Sequence, residues 1–89
     1  MSDDTALRTV QIVLHWAWDP IGVRGIKEAA DEYDMYATRV LELLEADAPD
    51  ERISDYLTSV VRDRMGLAED TDRDKDVSLM LRQLYAIGR

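Results

Sequence analysis

The chain has 89 residues, of which 46% are hydrophobic, and it has no cysteine and a formal net charge of −8. This length supports one domain with one core, and the lack of cysteine excludes a disulfide framework and thiolate chemistry. The first five residues lack the basic region of a signal peptide, and the longest uncharged run, Thr9 to Trp18, is about half of a membrane span. We therefore expect a soluble, cytoplasmic protein that does not associate with membranes.

The acidic residues are concentrated in the middle of the chain. Residues 28–76 carry sixteen acidic and six basic side chains, a net charge of −10, whereas residues 1–27 are neutral overall. Nucleic-acid binding requires clustered Lys and Arg that neutralise phosphates, and this sequence has no such cluster. The charge balance favours solubility or a partner protein with a basic surface.

The first predicted helix runs from about Asp4 to Ala17, with Asp4 or Ser2 as its N-cap. Its core stripe has the spacing of one helix face and comprises Leu7, Val10, Val13 or Leu14, and Ala17, widened by Ile12 and Trp16. Asp19-Pro20 ends the helix because proline lacks an N–H and restricts the residue before it. Gly22 and Gly25 then predict a turn over residues 19–26.

Three further helices follow the turn. The second covers Glu32 to Ala46, with Asp31 as a capping residue, or begins one or two turns earlier at Gly25. The third opens at Pro49 or Asp50 and stops at Gly66, which suits a left-handed position after a helix. After an acidic connector, Glu69 to Asp76, Thr71 or Asp72 caps a fourth helix that ends at Gly88. These elements predict an all-α fold, a compact bundle of about four short helices in a single domain, 1–89.

No motif indicates a cofactor, a metal or catalysis. The connector alternates acids as a calcium loop does, but Lys75 stands where glycine is needed and Leu81 where glutamate is needed. One histidine, His15, with one nearby carboxylate, Asp19, is too few for a transition-metal site. A small metal-dependent or acid–base enzyme is the least favoured alternative, and it would need convergence in one pocket of His15, Asp19, Asp31 and Asp34.

The two tryptophans are two residues apart. On an α-helix such residues point about 200° apart, so Trp16 and Trp18 cannot share a narrow stripe. One belongs to the core. The other packs on the turn or lies at the surface, where tryptophan is common at interfaces.

Rare residues around the turn predict a structural and contact corner. Asp19 can accept hydrogen bonds from the turn's amides or from an indole N–H, and Tyr33 and Tyr36 are neighbours on a helix that can pack on Trp18 and Pro20. The candidate residues of this corner are Trp18, Asp19, Pro20, Gly22, Asp31, Glu32, Tyr33, Asp34 and Tyr36.

The same stretches resemble a known family. The chain is similar, over roughly residues 15–67, to the YugE-like family of small, uncharacterised helical bacterial proteins. The resemblance rests on Trp18-Asp19-Pro20-Ile21-Gly22, Asp31-Glu32-Tyr33-Asp34 with Tyr36, Ile53 with Leu57, and Met65-Gly66-Leu67. It implies a compact all-α fold and implies no activity or catalytic residue.

The functional hypothesis is therefore a non-enzymatic protein–protein interaction module. One version is a toxin-neutralising, immunity-type protein. Another alternative is a DNA-mimic regulator, which needs acids at regular spacing on one face. A homodimer is also compatible with the apolar surface that four short helices leave over.

Overall fold

A computed structural model describes residues 3–88, with side chains from Thr5 onward. The first helix, α1 (Asp3–Val13), continues as a π-helical segment, Leu14–Trp18, and a short 3₁₀ helix, Lys27–Ala29, lies in the following connection. The others are α2 (Asp34–Glu45), α3 (Asp50–Ser59) with a π-helical extension (Val60–Arg64), and α4 (Thr71–Ile87). No strand occurs between residues 3 and 88, so the predicted all-α bundle is confirmed. The predicted N-cap at Ser2 or Asp4 lies outside the described side chains.

The core forms where the apolar stripes of the helices meet. Helix α1 packs against α2 and α4, and α3 packs along α4. The radius of gyration of 12.1 Å is that of a single globule of this length. The buried apolar side chains include Val10, Leu14, Trp18, Tyr33, Ala37, Val40, Leu44, Ile53, Leu57, Val60, Val61, Val77 and Leu81.

The first helix differs from its prediction in two ways. Its α-helical hydrogen bonding ends at Val13, and the amide of Asp19 bonds to the carbonyl of Leu14, five residues back, at 2.9 Å. Ile12 and Trp16 do not widen the core stripe, because they are 46% and 53% exposed. Ile12 lies two residues from Val10 and from Leu14, which places it on the opposite side of an α-helix.

The predicted start of α2 was wrong in both versions. The residue before the helix is Tyr33, and it makes no side-chain cap. The turns before it satisfy their own amides through backbone bonds three residues back, including Glu32 to Ala29 and Asp34 to Asp31, each at 3.1 Å. A capping carboxylate from Asp31 is therefore not used.

The boundaries between α3 and α4 were predicted in part. Gly66 has a left-handed φ of 66° and ends the third helix as expected. The cap of α4 is Asp70, not Thr71 or Asp72, because its carboxylate accepts from the amide of Arg73 at 3.1 Å. The helix therefore begins inside the stretch that was expected to be a connector.

Asp74 is the main correction, since the sequence placed it in a solvated loop. It lies in α4 with no exposed surface. Its carboxylate accepts from the indole Nε1 of Trp18 at 2.9 Å and from the Thr58 hydroxyl at 2.8 Å, and Arg73 lies 3.3 Å away. One carboxylate thus joins the end of the first π-helical segment to α3 and α4.

We expect Asp74→Ala to lower the free energy of unfolding by about 3 kcal/mol, because it leaves the Trp18 N–H and the Thr58 hydroxyl unpaired in the core. Asp76→Ala is the matched control, since Asp76 is an exposed acid of the same helix, and its effect should stay within about 0.5 kcal/mol. Urea unfolding followed by circular dichroism measures both. Equal stability of the two variants would contradict the role given to Asp74.

Candidate functional site

The connection after the first π-helical segment is organised by Asp19. Its backbone is left-handed, with φ 37° and ψ 58°, a conformation that aspartate adopts more readily than most residues. Its carboxylate accepts from the amides of Gly22 at 3.1 Å, Val23 at 2.7 Å and Arg24 at 3.0 Å. These bonds to the turn amides, which the sequence suggested, fold the connection back over the helix end.

Tyr33 connects this turn to the start of α2. Its hydroxyl donates to the Asp19 carboxylate at 2.9 Å and accepts from the amide of Ile21 at 3.0 Å. Burial of the phenol raises the pKa of Tyr33 to about 12; the negative charge of Asp19 adds to this, and the Ile21 amide opposes it. The hydroxyl therefore stays protonated and keeps donating at neutral pH.

Trp18 lies beneath the turn among the aromatic rings. Its ring meets Tyr33 with centroids 5.2 Å apart and Tyr36 at 6.1 Å, both in edge-to-face geometry, which aromatic pairs favour. Its indole N–H goes to Asp74, not to Asp19 as one sequence alternative had it. Trp18 is only 1% exposed, so it is the core tryptophan that the sequence left undecided.

The structure brings together only part of the predicted corner. Contacts join Trp18, Asp19, Tyr33 and Tyr36, and Gly22 takes part through its amide and its positive φ of 87°. Pro20 is half-buried in the turn, Asp31 and Glu32 are exposed, and Asp34 is half-buried in the first turn of α2. Among the hydrogen bonds of the described residues, none joins the side chains of the three acids to the Asp19 turn.

The Asp19 carboxylate is fully engaged in structure. Burial by itself raises its pKa, but hydrogen bonds from the Val23 amide, the Tyr33 hydroxyl and the amides of Arg24 and Gly22 outweigh burial and hold the pKa below its usual value. Arg24 also lies 3.9 Å from this carboxylate. A carboxylate with these partners is a poor general base, because it binds a proton weakly and its oxygens are occupied.

His15 also attaches the first helix to the connection. It is 7% exposed, and its Nε2 accepts from the amide of Gly25 at 3.2 Å. A ring nitrogen that accepts a hydrogen bond carries no proton, so the ring proton lies on Nδ1. Nδ1 is buried and has no hydrogen-bond partner among the described residues. The ring packs edge-on against Trp16, with centroids 5.1 Å apart.

An open groove of about 210 Å³ lies between the outer face of the first helix and residues 25–30. We call it the Trp16 groove. Its lining residues are Arg8, Gln11, Ile12, His15, Trp16, Gly25, Ile26, Lys27 and Ala30. Apart from His15 and Trp16, the sequence gave no reason to group them, because they come from two segments that share no motif.

A reaction centre built on His15, Asp19, Asp31 and Asp34 is not assembled. Of these four, only His15 lines the groove. Within the described chain, no group of three histidine or carboxylate side chains is placed to hold a metal ion. The arrangement is instead suited to contact, with one large aromatic ring beside an open, partly apolar groove.

Comparisons with known proteins found no match among protein families, curated proteins or solved structures. The similarity to the YugE-like family therefore stays a prediction. No helix within residues 3–88 is long and apolar enough to cross a membrane.

We expect Asp19→Asn to lower the free energy of unfolding by about 1–2 kcal/mol at about pH 7, because hydrogen bonds to a charged acceptor are stronger than those to a neutral one. Asparagine also tolerates the left-handed backbone, so this variant isolates the effect of the charge.

The pH dependence follows from the lowered pKa of Asp19. The stabilisation by the charge is present above the unfolded value of about 3.9. It is lost as the pH falls through the lower folded value, so the gap between the two proteins should close below about pH 4. Urea unfolding at neutral and acidic pH measures it, and a gap that does not change with pH would contradict the assignment.

Proposed function

We propose that this protein is a non-enzymatic protein–protein interaction module and that its partner docks over the Trp16 groove. The observation that carries the proposal is the contrast between the two tryptophans. Trp18 is 1% exposed and Trp16 is 53% exposed. Tryptophan is among the residues most enriched in binding hot spots, and here one is held at the surface beside a groove.

The apolar surface at this groove is contiguous. Ile12 and Ile26 are 46% and 47% exposed, and both line the groove together with Trp16. Single exposed apolar residues are ordinary, but a group of them on one concave surface is typical of an interaction site. The core is complete without them, so their exposure is not needed for folding.

The charge of the molecule supports a partner with a basic surface. The net charge is −8, and the acids that follow the groove residue Lys27 in the chain, Glu28, Asp31 and Glu32, are exposed. Complementary charge increases the rate of association and favours correct partners. Toxin neutralisation by an immunity-type protein is one concrete form of this proposal, and the cytoplasmic location belongs to it.

The distribution of ion pairs does not favour a DNA mimic. Arg39 lies 3.3 Å from Glu42, and Arg62 lies 2.8 Å from Asp63 and 3.4 Å from Glu69. Arginines are thus interleaved with the acids along this part of the surface. A mimic needs a face on which negative charges recur without such interruption.

We expect Trp16→Ala to remove binding of the partner, since truncation of a central hot-spot residue typically costs about 2 kcal/mol or more. Ile87→Ala is the matched control, because Ile87 is 82% exposed on α4 and does not line the groove. Affinity capture with the wild type and both variants, followed by binding measurements with the purified partner, tests this.

Two outcomes of this experiment would contradict the proposal. One is a partner that binds Trp16→Ala as tightly as the wild type. The other is the absence of any protein that the wild type and Ile87→Ala retain and Trp16→Ala loses.

The homodimer is a separate proposal, supported by apolar side chains on the outer face of α4. Met80, Leu84 and Ile87 are 40%, 36% and 82% exposed. We expect light scattering after size exclusion to show the mass approaching that of a dimer as protein concentration rises. Ile87→Asp should then return the monomer mass, because a charge in a small apolar interface is left desolvated. A monomer mass at all concentrations would overturn it.

A further inference from the structure

We infer that the Trp16 groove receives a segment of the partner protein in which an acidic side chain adjoins a large apolar one. This inference rests on the proposed function and specifies the chemistry of the partner at that site.

The first argument is the local charge. The charged side chains that line the groove are Arg8 and Lys27, both basic and both exposed, in a protein with nineteen acids and eleven bases. Among the side chains described, neither makes an ion pair, whereas Arg24, Arg39, Arg62, Arg73 and Arg82 do. Two unpaired cations flanking one groove are available to a carboxylate, which accepts strong charge-assisted hydrogen bonds from such groups.

The second argument is the apolar wall between these cations. Trp16, Ile12 and Ile26 supply it, and the buried His15 ring stacks edge-on behind Trp16. Because His15 is itself bonded to Gly25 across the groove, the two sides are held in register. A large apolar side chain placed here would remove exposed apolar surface of the wall from water.

The size of the groove favours a protein segment over a free small molecule. Pockets for small ligands usually have volumes of about 300–1,000 Å³ and enclose most of the ligand. This groove has about 210 Å³ and is open to solvent. That volume suits one anchoring side chain that projects from a partner, the common arrangement at interface hot spots.

The inference agrees with a partner that is basic overall. The local charge of the groove is opposite to the charge of the whole molecule, and the acids Glu28, Asp31 and Glu32 follow Lys27 directly in the chain. The complementary partner surface therefore has an acidic and apolar projection with basic residues around it. Such alternating charge provides register as well as attraction.

The test uses the full, ¹⁵N-labelled chain and three capped pentapeptides. They are identical except for one residue next to a central phenylalanine, which is Glu, Gln or Lys. Nuclear magnetic resonance follows the indole N–H of Trp16 and the amides of Arg8 and Lys27. The indole N–H of Trp18, which is bonded to Asp74, is an internal control for the fold. We expect binding at the groove in the order Glu, Gln, Lys, with at least about a tenfold span.

Two pairs of substitutions assign the order to the groove. The double variant Arg8→Gln with Lys27→Gln should bind the Glu and Lys peptides equally. The matched control, Arg52→Gln with Lys75→Gln, changes the net charge by the same amount at two exposed residues outside the groove and should keep the order.

Three results would overturn the inference: equal affinity for the Glu and Lys peptides, no shift with any peptide, or 3-phenylpropionate binding as tightly as the Glu peptide, which would indicate a free small acid. The captured partner separates this failure from that of the proposed function. A partner lost by Trp16→Ala but kept by the Arg8 and Lys27 double variant contradicts the acidic segment alone. A partner kept by Trp16→Ala contradicts the docking site itself.

Discussion

The hydrogen bond between the Trp18 indole and the Asp74 carboxylate is the interaction on which the rest of this bundle depends. It joins residues 56 positions apart, and through Thr58 it also includes α3. A carboxylate with no exposed surface is tolerated only when its oxygens have partners, so the packing of three elements is fixed around one group. Trp18 is therefore committed to the fold, and the contact surface has to lie elsewhere.

The Asp19 turn applies the same logic near the surface. Its carboxylate binds three successive amides and the Tyr33 hydroxyl, so the residues that first suggest a reactive site are used to hold the connection in place. What this turn leaves over is functional surface. By closing the chain back toward α1, the connection, with its Gly25 amide on His15, forms the second wall of the Trp16 groove.

The sequence predicted the helices well where the core stripe follows a period of 3.6 residues, as with Val40 and Leu44 in α2 or Ile53 and Leu57 in α3. It failed where the environment of a residue depends on a distant segment. Nothing local distinguishes Asp74 from its exposed neighbour Asp76, because its burial is set by Trp18. The choice between Trp16 and Trp18 could not be made either, since π-helical hydrogen bonding changes which way the end of α1 faces and has no apolar period of its own.

The two π-helical segments have a consequence for how the chain tolerates changes in length. A π-helical turn closes its hydrogen bond over one more residue than an α-helical turn, as from Asp19 back to Leu14 and from Met65 back to Val60. Loss of one residue from Leu14–Trp18 would allow regular α-helix but rotate everything after it by about 100°, which would move the indole away from Asp74. The length of this helix end is thus fixed to a single residue, and an insertion or deletion between related chains belongs in the exposed connections instead.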